Sequence, residues 1–207
     1  MSIINTIILK VASPCNLNCT YCYEYQDDEW KNMPTYISNE TLDLLSRRIT
    51  EYVEEFNLPR FYINAHGGEP MLLGADGLDN LFSRIRKNIP KSVQLQFGMQ
   101  TNAILATNEI INVLKKHKVS IGISIDGDEN ANIYRVDHGD NPAFNKIIKG
   151  INILKDNGAF ISGGLCVINP DSNAEATICF LNNLSLTPID LLQPYGTYDN
   201  LPINNGS

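Results

Sequence analysis

The chain has 207 residues, with 16 lysines and arginines against 23 aspartates and glutamates, so its formal net charge is −7. An acidic balance disfavours nucleic acid and anionic membrane surfaces as partners, because phosphates do not attract an anionic surface. Apolar residues make up 43% of the sequence and charged residues 19%, which is typical of a globular domain, and no apolar run approaches the roughly 18 residues of a membrane span.

Short apolar runs alternate along the chain with segments whose apolar residues recur every three or four positions. The runs predict strands at 6–12, 60–66, 93–101, 119–126, 161–169 and 189–195. The periodic segments predict helices at 38–56, 77–89, 108–117, 143–157 and 174–184. Ser38 or Asn39 is expected to cap the first helix, and Gly158 to follow the fourth.

Strand–helix alternation predicts an α/β fold with a parallel sheet and right-handed crossovers. Closely spaced units of this kind predict a barrel or an open part of one, here a partial (β/α)6 TIM-like barrel. We expect one domain over 1–195. The polar, turn-rich tail over 196–207 does not resemble the end of a packed domain, and we expect a longer parent to continue there.

The unusual motifs fall just after successive predicted strands. These motifs are "CNLNCTYCY" at 15–23, "HGGEP" at 66–70, "QTN" at 100–102 and "SIDG" at 124–127. Because chemistry in such folds sits at the carboxyl ends of the strands, we expect all four motifs to meet in one site.

The first motif places Cys15, Cys19 and Cys22 within eight positions. The chain has no export signal and an odd number of cysteines, five, so we expect a reducing cytoplasm, where clustered cysteines bind metal more often than they form disulfides. Buried structural cysteines are one alternative, although the proline and asparagines between them favour a loop. Structural zinc is another, but it needs four ligands, and neither His66 nor another cysteine has a paired spacing.

The interpretation that we favour is an iron–sulfur cluster held by three thiolates, which leaves one iron open to a substrate or cofactor. The spacing C-x3-C-x2-C resembles that of the radical S-adenosylmethionine (SAM) enzymes. In that family SAM chelates the fourth iron of a 4Fe–4S cluster through its amino and carboxylate groups. One electron from the reduced cluster then cleaves SAM and yields a 5′-deoxyadenosyl radical.

The resemblance also implies roles for residues outside the cysteine motif. Gly67, Gly68 and Glu69 match the GGE motif that grips the SAM amino group, where paired glycines allow close approach to a ligand. The other implied cofactor-binding residues are Tyr21 near the adenine, Gln100 and Asn102 in the SAM or substrate pocket, Ser124 and Asp126 near the ribose or carboxylate, and Arg135 on the SAM carboxylate.

Finer similarities involve the stretches "YCYEYQDDEWKNMP", "GLCVINP" and "IDLLQPYGTYDNLP". They resemble SPASM-type maturases of ribosomally made peptides, in particular those that form cyclophanes. This implies hydrogen abstraction from a precursor peptide, a side-chain cross-link, and a flavodoxin or ferredoxin as electron donor. Those relatives continue further, with cysteines for auxiliary clusters, so we expect the general base to lie in that missing region.

Several alternatives remain open at this stage. An anaerobic sulfatase-maturing activity shares the core motifs, and an inactive module that binds SAM or a peptide would also carry them. His66 is expected to be a hydrogen-bonded structural residue. Cys166 and Cys179 are expected to pack as small apolar side chains, or else to bind an auxiliary cluster.

Overall fold

The computed structural model describes residues 3–25 and 29–195 of the chain. Six strands alternate with five helices in these ranges, as the sequence predicts. The strands are β1 to β6, at Thr6–Ala12, Arg60–Gly67, Gln94–Thr101, Ser120–Ser124, Ile161–Val167 and Ile189–Leu192. The predicted tail over 196–207 and part of the "YEYQDDEW" stretch lie outside the described residues.

The helices α1 to α5 span Asn39–Glu55, Gly74–Arg86, Asn108–Lys116, Phe144–Asp156 and Ala174–Asn183. Ser38 caps α1, because its side chain accepts a hydrogen bond from the Thr41 N–H. The prediction for the second helix was wrong at both ends: α2 begins three residues before Gly77 and ends at Arg86. Its earlier start follows from the 3₁₀ turn Pro70–Leu73, which runs straight into it.

The six strands form one sheet in the order β1-β2-β3-β4-β5-β6, and every neighbouring pair is parallel. This sheet with its crossover helices confirms the predicted α/β fold of the partial TIM-barrel kind. Parallel strands place all their carboxyl ends at one edge, so the loops after β1, β2, β3 and β4 are brought together there.

The two faces of the sheet differ in character. On one face, Phe61, Ile63 and Ala65 of β2 are buried in the apolar core, with Phe82 of α2. The alternating residues of β2 are Tyr62, Asn64 and His66, and they lie on the opposite, inner face. The inner face is therefore polar, and it leads directly to the edge that carries the motifs.

Glycines make room on this inner face. A Cβ at Gly98 would lie 1.9 Å from the Tyr62 hydroxyl, and one at Gly122 would lie 2.2 Å from the Gln100 amide oxygen. The side chains of Tyr62 and Gln100 therefore lie across the neighbouring strands. No helix within the described ranges is long and apolar enough to cross a membrane.

Candidate active site

The loop after β1 carries the three cysteines and is held by backbone hydrogen bonds. The Asn18 N–H donates to the Val136 carbonyl at 2.8 Å, and the Thr20 N–H donates to the Tyr134 carbonyl at 3.0 Å. A turn between Cys19 and Cys22 is closed by a 2.9 Å hydrogen bond from the Cys22 N–H to the Cys19 carbonyl. The loop conformation is thus defined by main-chain contacts with the segment that follows β4.

The paired glycines after β2 lie directly against this loop. A Cβ at Gly67 would stand 2.2 Å from the Ala12 carbonyl oxygen, and one at Gly68 would stand 2.1 Å from the Pro14 carbonyl oxygen. The Gly68 and Glu69 N–H groups donate to these same two carbonyls, at 2.9 and 3.0 Å. The close approach that the glycines allow is thus an approach of the protein's own cysteine loop.

Glu69 joins the ends of β2 and β3. Its Oε1 accepts hydrogen bonds from the Met71 N–H at 2.9 Å and the Thr101 hydroxyl at 2.7 Å, and its Oε2 accepts one from the Asn102 N–H at 2.9 Å. Burial raises the pKa of Glu69, while the hydrogen bonds from Asn102, Met71 and Thr101 act in the opposite direction. Glu69 is thus both a cavity residue and a structural link.

A cavity of about 470 Å³ opens at this edge of the sheet, a volume within the range of small-molecule sites. It brings together most of the predicted site residues, namely Cys15, Cys19, Tyr21, Cys22, Gly67, Gly68, Glu69, Gln100, Asn102, Ser124 and Arg135. Asp126 is not among the described residues that line it. The roles of all these residues toward a cofactor stay predictions.

The three thiols lie in one half-buried environment. Burial raises the pKa of Cys15 to about 12 and that of Cys19 to about 11, and it also raises the pKa of Cys22. Cysteine binds a metal as the thiolate, so metal binding at these residues would release protons.

A single zinc ion and an iron–sulfur cluster place different demands on their sulfur ligands. Zinc holds its sulfur ligands at about 2.3 Å, so the ligands must converge on one point. Within residues 3–25 and 29–195, no group of three His, Cys, Asp or Glu side chains is placed to hold one metal ion. An iron–sulfur cluster instead distributes its thiolate ligands over different irons. Cys15, Cys19 and Cys22 line one cavity, as the ligands of one cluster would.

A buried ion pair lies beside the cysteines. Arg135 donates from Nε and Nη2 to the two carboxylate oxygens of Asp126, both at 2.8 Å. Burial alone would lower the pKa of Arg135, but the Asp126 carboxylate raises it well above its ordinary value. The Tyr21 hydroxyl also donates to Asp126, at 2.5 Å, and its ring lies 5.6 Å from the guanidinium carbon. Asp126 therefore orients Tyr21 and Arg135, and both of these residues line the cavity.

The amide side chains of Gln100, in β3, and Asn102, directly after it, make defined contacts. Gln100 Nε2 donates to the Ser124 hydroxyl at 2.8 Å, which joins two predicted site residues from β3 and β4. Asn102 Nδ2 donates to Asn16 Oδ1 at 2.9 Å and approaches Cys15 Sγ at 3.9 Å. Gln100, Asn102 and Ser124 all line the cavity, and their roles toward SAM stay predictions.

Two further polar residues line the cavity: Glu24, which was not singled out from the sequence, and His66. Glu24, in the 3₁₀ turn Tyr23–Tyr25, forms an ion pair with Lys10 of β1. Lys10 lies opposite His66 in the register of β1 and β2. His66 lines the cavity, and no hydrogen bond from its ring to another described residue is present, so the expected structural hydrogen bond is not found. Burial lowers the pKa of His66 below its ordinary value.

The opposite wall of the cavity is apolar. Leu165 and Val167 of β5 and Leu192 of β6 line it. Tyr23 and Tyr195 close this side with an edge-on ring contact, whose centroids lie 5.8 Å apart. Strand register could have identified Leu165 and Val167 as partners of the site, but the Tyr23–Tyr195 contact depends on how β6 ends.

The two remaining cysteines, Cys166 and Cys179, differ in their exposure to solvent. Cys166 is buried in the core, 1% exposed, as predicted. Cys179 is exposed on α5, so the expectation that it packs as a small apolar side chain was wrong. The helical period places position 179 on the outer face, two residues from the buried Thr177 and Leu181.

The sequence model of the Radical SAM superfamily matches residues 10–179. A serine-type anaerobic sulfatase-maturating enzyme of Bacteroides thetaiotaomicron is 29% identical over 178 residues, which cover 85% of this chain and 42% of that protein. The radical SAM cyclopropyl synthase TigE of Paramaledivibacter caminithermalis is 25% identical over 167 residues, covering 77% of this chain and 34% of TigE. The chain spans less than half the length of these relatives.

A solved structure of native anSMEcpe with bound AdoMet superposes with a TM-score of 0.80 at 21% identity. The match covers 96% of this chain and 56% of that chain. Native anSMEcpe with bound AdoMet and the Cp18Cys peptide superposes with a TM-score of 0.77 at 22% identity, over 92% of this chain and 51% of that chain. These similarities confirm the fold.

Proposed function

The chain belongs to the radical SAM superfamily, and from that premise we propose that it cleaves SAM reductively and abstracts hydrogen from a ribosomally made precursor peptide. The outcome that we propose is a cross-link between side chains of that peptide. The observation that carries the proposal is the single cavity in which the three cysteines, the GGE motif and the polar residues of β3 and β4 meet.

The cofactors of this family are a 4Fe–4S cluster and SAM. Cys15, Cys19 and Cys22 would hold the cluster, which supplies the electron for cleavage of SAM when it is bound. The family chemistry needs this electron from outside, and we propose a flavodoxin- or ferredoxin-type donor in a cytoplasmic setting.

The hydrogen-bonding capacity of Glu69 supports a role toward the SAM amino group. An ionised carboxylate has about four acceptor sites. Three donors occupy Glu69, two on Oε1 and one on Oε2, so Oε2 keeps an acceptor site for an ammonium group. We propose that Glu69 offers this site to SAM.

Arg135 also has hydrogen-bonding groups that its described contacts do not use. A guanidinium carries five N–H donors, and the described contacts with Asp126 use two of them. The residue lines the cavity, so its remaining donors support the predicted contact with the SAM carboxylate. In this proposal Asp126 acts by holding Arg135 and Tyr21, and not by touching SAM.

The apolar wall supports a peptide as the second substrate. Leu165, Val167 and Leu192 would contact an apolar or aromatic side chain, while the polar inner face would bind peptide N–H and carbonyl groups. Such a division of polar and apolar surface is typical of sites that orient one side chain for reaction.

Sulfatase maturation is the second candidate, and the 29% identity with the Bacteroides thetaiotaomicron enzyme favours it. Both reactions begin with reductive cleavage of SAM. We would incubate the loaded protein with a sulfatase-type peptide and with aromatic-rich precursor peptides. A loss of two hydrogens without an aldehyde supports cross-linking, whereas a formylglycine aldehyde supports the second candidate.

The first test is anoxic reconstitution with iron and sulfide, followed by dithionite and SAM, with 5′-deoxyadenosine measured by chromatography. We expect nucleoside from the wild type and from Cys179→Ala, whose cysteine is exposed and distant in sequence from the motif. The variant with Cys15, Cys19 and Cys22 all changed to alanine should bind no cluster and make none.

Each other outcome has a defined meaning. A brown protein that makes no nucleoside would support cluster binding but contradict SAM cleavage by this chain. That result would favour a module that binds SAM or a peptide. A protein that takes up no iron would contradict the proposal as a whole. Colourless protein with bound zinc would support the zinc alternative instead.

A further inference from the structure

The side chain of Asn102 occupies a position between β3 and the cysteine loop. It is 5% exposed, and its Oδ1 accepts a hydrogen bond from the Ile104 N–H at 3.1 Å. That contact fixes the orientation of the amide, because only the oxygen can accept a hydrogen. The Nδ2 group therefore faces the loop, where it contacts Asn16 Oδ1 at 2.9 Å and Cys15 Sγ at 3.9 Å.

The three cysteines differ in the donors that reach their sulfurs. Cys15 accepts from the Leu17 N–H at 3.4 Å and also from the Asn102 amide. Within residues 3–25 and 29–195, Cys15 is thus the cysteine of the three whose sulfur receives a side-chain amide.

The contact is compatible with the thiolate form of Cys15. The Cys15 thiol lies 3.7 Å from Asn16 Oδ1, a contact in which the S–H donates and which deprotonation removes. Asn102 can then supply one amide hydrogen to Asn16 and the other to the thiolate, so both acceptors keep a donor. The Asn102 amide is thus positioned before a cluster binds.

Asn102 is itself held by the GGE motif. Its backbone N–H donates to Glu69 Oε2, and the neighbouring Thr101 hydroxyl donates to Glu69 Oε1. A buried carboxylate with these contacts restricts the backbone at the end of β3. Glu69 therefore positions the amide that reaches Cys15.

We propose that Asn102 raises the reduction potential of the cluster by donating a hydrogen bond to the Cys15 thiolate. A donor to a ligand sulfur withdraws electron density and favours the reduced state, and such hydrogen bonds are among the factors that set cluster potentials. The inference rests on the cluster-binding part of the proposed function and is independent of the peptide and of the reaction product.

The test is a redox titration of the reconstituted protein without SAM or peptide, followed by electron paramagnetic resonance. In Asn102→Asp the acceptor to Ile104 remains, while both N–H donors are lost. We expect the potential to move in the negative direction by about 59 mV, a tenfold change in a one-electron equilibrium. We also expect faster loss of iron to a chelator, since residues that support metal ligands typically change metal affinity by about 10- to 100-fold.

Gln100→Glu is the matched control, because it makes the same amide-to-acid change on the same cavity. Gln100 donates to Ser124 and not to a cysteine sulfur, so its variant should shift the potential much less. Asn102→Ser removes the amide without adding a charge, and it should shift the potential in the same direction as Asn102→Asp.

Three results would overturn the proposal. One is an unchanged potential in a loaded Asn102 variant, and another is an equal shift in Gln100→Glu, which would indicate a general charge effect. The third is failure of both Asn102 variants to take up iron while they remain folded, which would show that Asn102 builds the site and does not tune it. If instead the wild type binds no iron, the proposed function fails before this inference is reached.

Discussion

Gly68 illustrates how a single residue position connects the fold with the site. The residue lies between the cysteine loop and the ring of Tyr25, whose hydroxyl would be 2.2 Å from a Cβ at this position. On the other side stands the Pro14 carbonyl, which belongs to the loop backbone and cannot rotate away. A side chain here would therefore displace the loop that carries Cys15.

Gly68→Ala is expected to reduce both stability and cluster loading. Overpacking of this kind typically costs about 1–3 kcal/mol of unfolding free energy. Urea denaturation would measure the loss of stability, and iron analysis after reconstitution would measure the loss of loading. Gly139→Ala is the control, because Gly139 is exposed and faces only the side chains of Asn141 and Asp137. A Gly68 variant as stable as this control would contradict the packing argument.

At the scale of elements, Asp126 connects three segments beyond the end of β4. Its carboxylate accepts from Arg135, from the Tyr21 hydroxyl of the cysteine loop, and from the Val167 N–H of β5 at 2.9 Å. The side chains of Asp126 and Arg135 are 2% and 8% exposed, so both charges depend on each other for compensation.

Arg135→Met is expected to lower the free energy of unfolding by about 3–5 kcal/mol, because it leaves a buried carboxylate without its partner. The double variant Arg135→Met/Asp126→Asn should recover part of this loss, since the unpaired charge is then absent. Chemical denaturation of the single and double variants checks both expectations. Arg48→Met removes the exposed pair with Glu51 and should change stability by at most about 1 kcal/mol. Equal effects at the two arginines would argue against a buried pair.

A second link between elements joins α2 and α3. Asp79 of α2 accepts hydrogen bonds from Lys116 at 2.7 Å and contacts His117 Nε2 at 2.6 Å. The hydrogen bond from Lys116, and then that from His117, lowers the pKa of Asp79 below its ordinary 3.8. This helix contact is therefore expected to respond to acid.

The direction of the pH effect on stability follows from the lowered pKa of Asp79. Asp79 stabilises the fold fully above its unfolded-state pKa, and this contribution is lost as pH falls through the lower folded-state pKa. We expect Asp79→Asn to be less stable than the wild type at pH 6 and the difference to shrink below pH 3.8. Denaturation at a series of pH values measures it. A difference that is constant from pH 6 to pH 2 would show that Asp79 does not act through its charge.

At the scale of the whole molecule, we predict that stabilisation of the fold by SAM depends on the bound cluster, because both groups would occupy the same cavity. If SAM binds the open iron, only the loaded protein should gain stability from it. At a free concentration 100 times its dissociation constant, a ligand of the native state stabilises it by about 2.7 kcal/mol. For a domain of this size that corresponds to an increase in Tm of about 5–11 °C.

Thermal unfolding under anoxic conditions, with and without SAM, tests this linkage. The loaded wild type should show the increase, and the variant that lacks Cys15, Cys19 and Cys22 should not. An equal increase in that variant would mean that SAM binds the cavity through protein contacts alone.

Sequence patterns predicted strands and helix caps well where the stabilising contacts join residues close together in the chain. The strand predicted at 6–12 coincides with β1, and Ser38 caps α1 because the cap contact spans only three positions. The strand predicted at 119–126 was too long, since β4 ends at Ser124. Ile125 and Asp126 are buried, like the isoleucines of the strand before them. Asp126 nevertheless lies beyond the end of β4, where its carboxylate accepts a hydrogen bond from Arg135.

The sequence by itself determined the order of strands and helices, the edge at which the motifs meet, and the three clustered cysteines that we propose as cluster ligands. These properties follow from periodicity and from residue chemistry, which are local. Only the tertiary structure decided that Gly67 and Gly68 face the cysteine loop, that Asp126 acts through Arg135, and that the Asn102 amide reaches Cys15. The glycine contacts and the Asn102–Cys15 contact join residues tens of positions apart, whereas the Asp126–Arg135 pair joins residues nine positions apart. The geometry of all of them exists only after the strands have packed side by side.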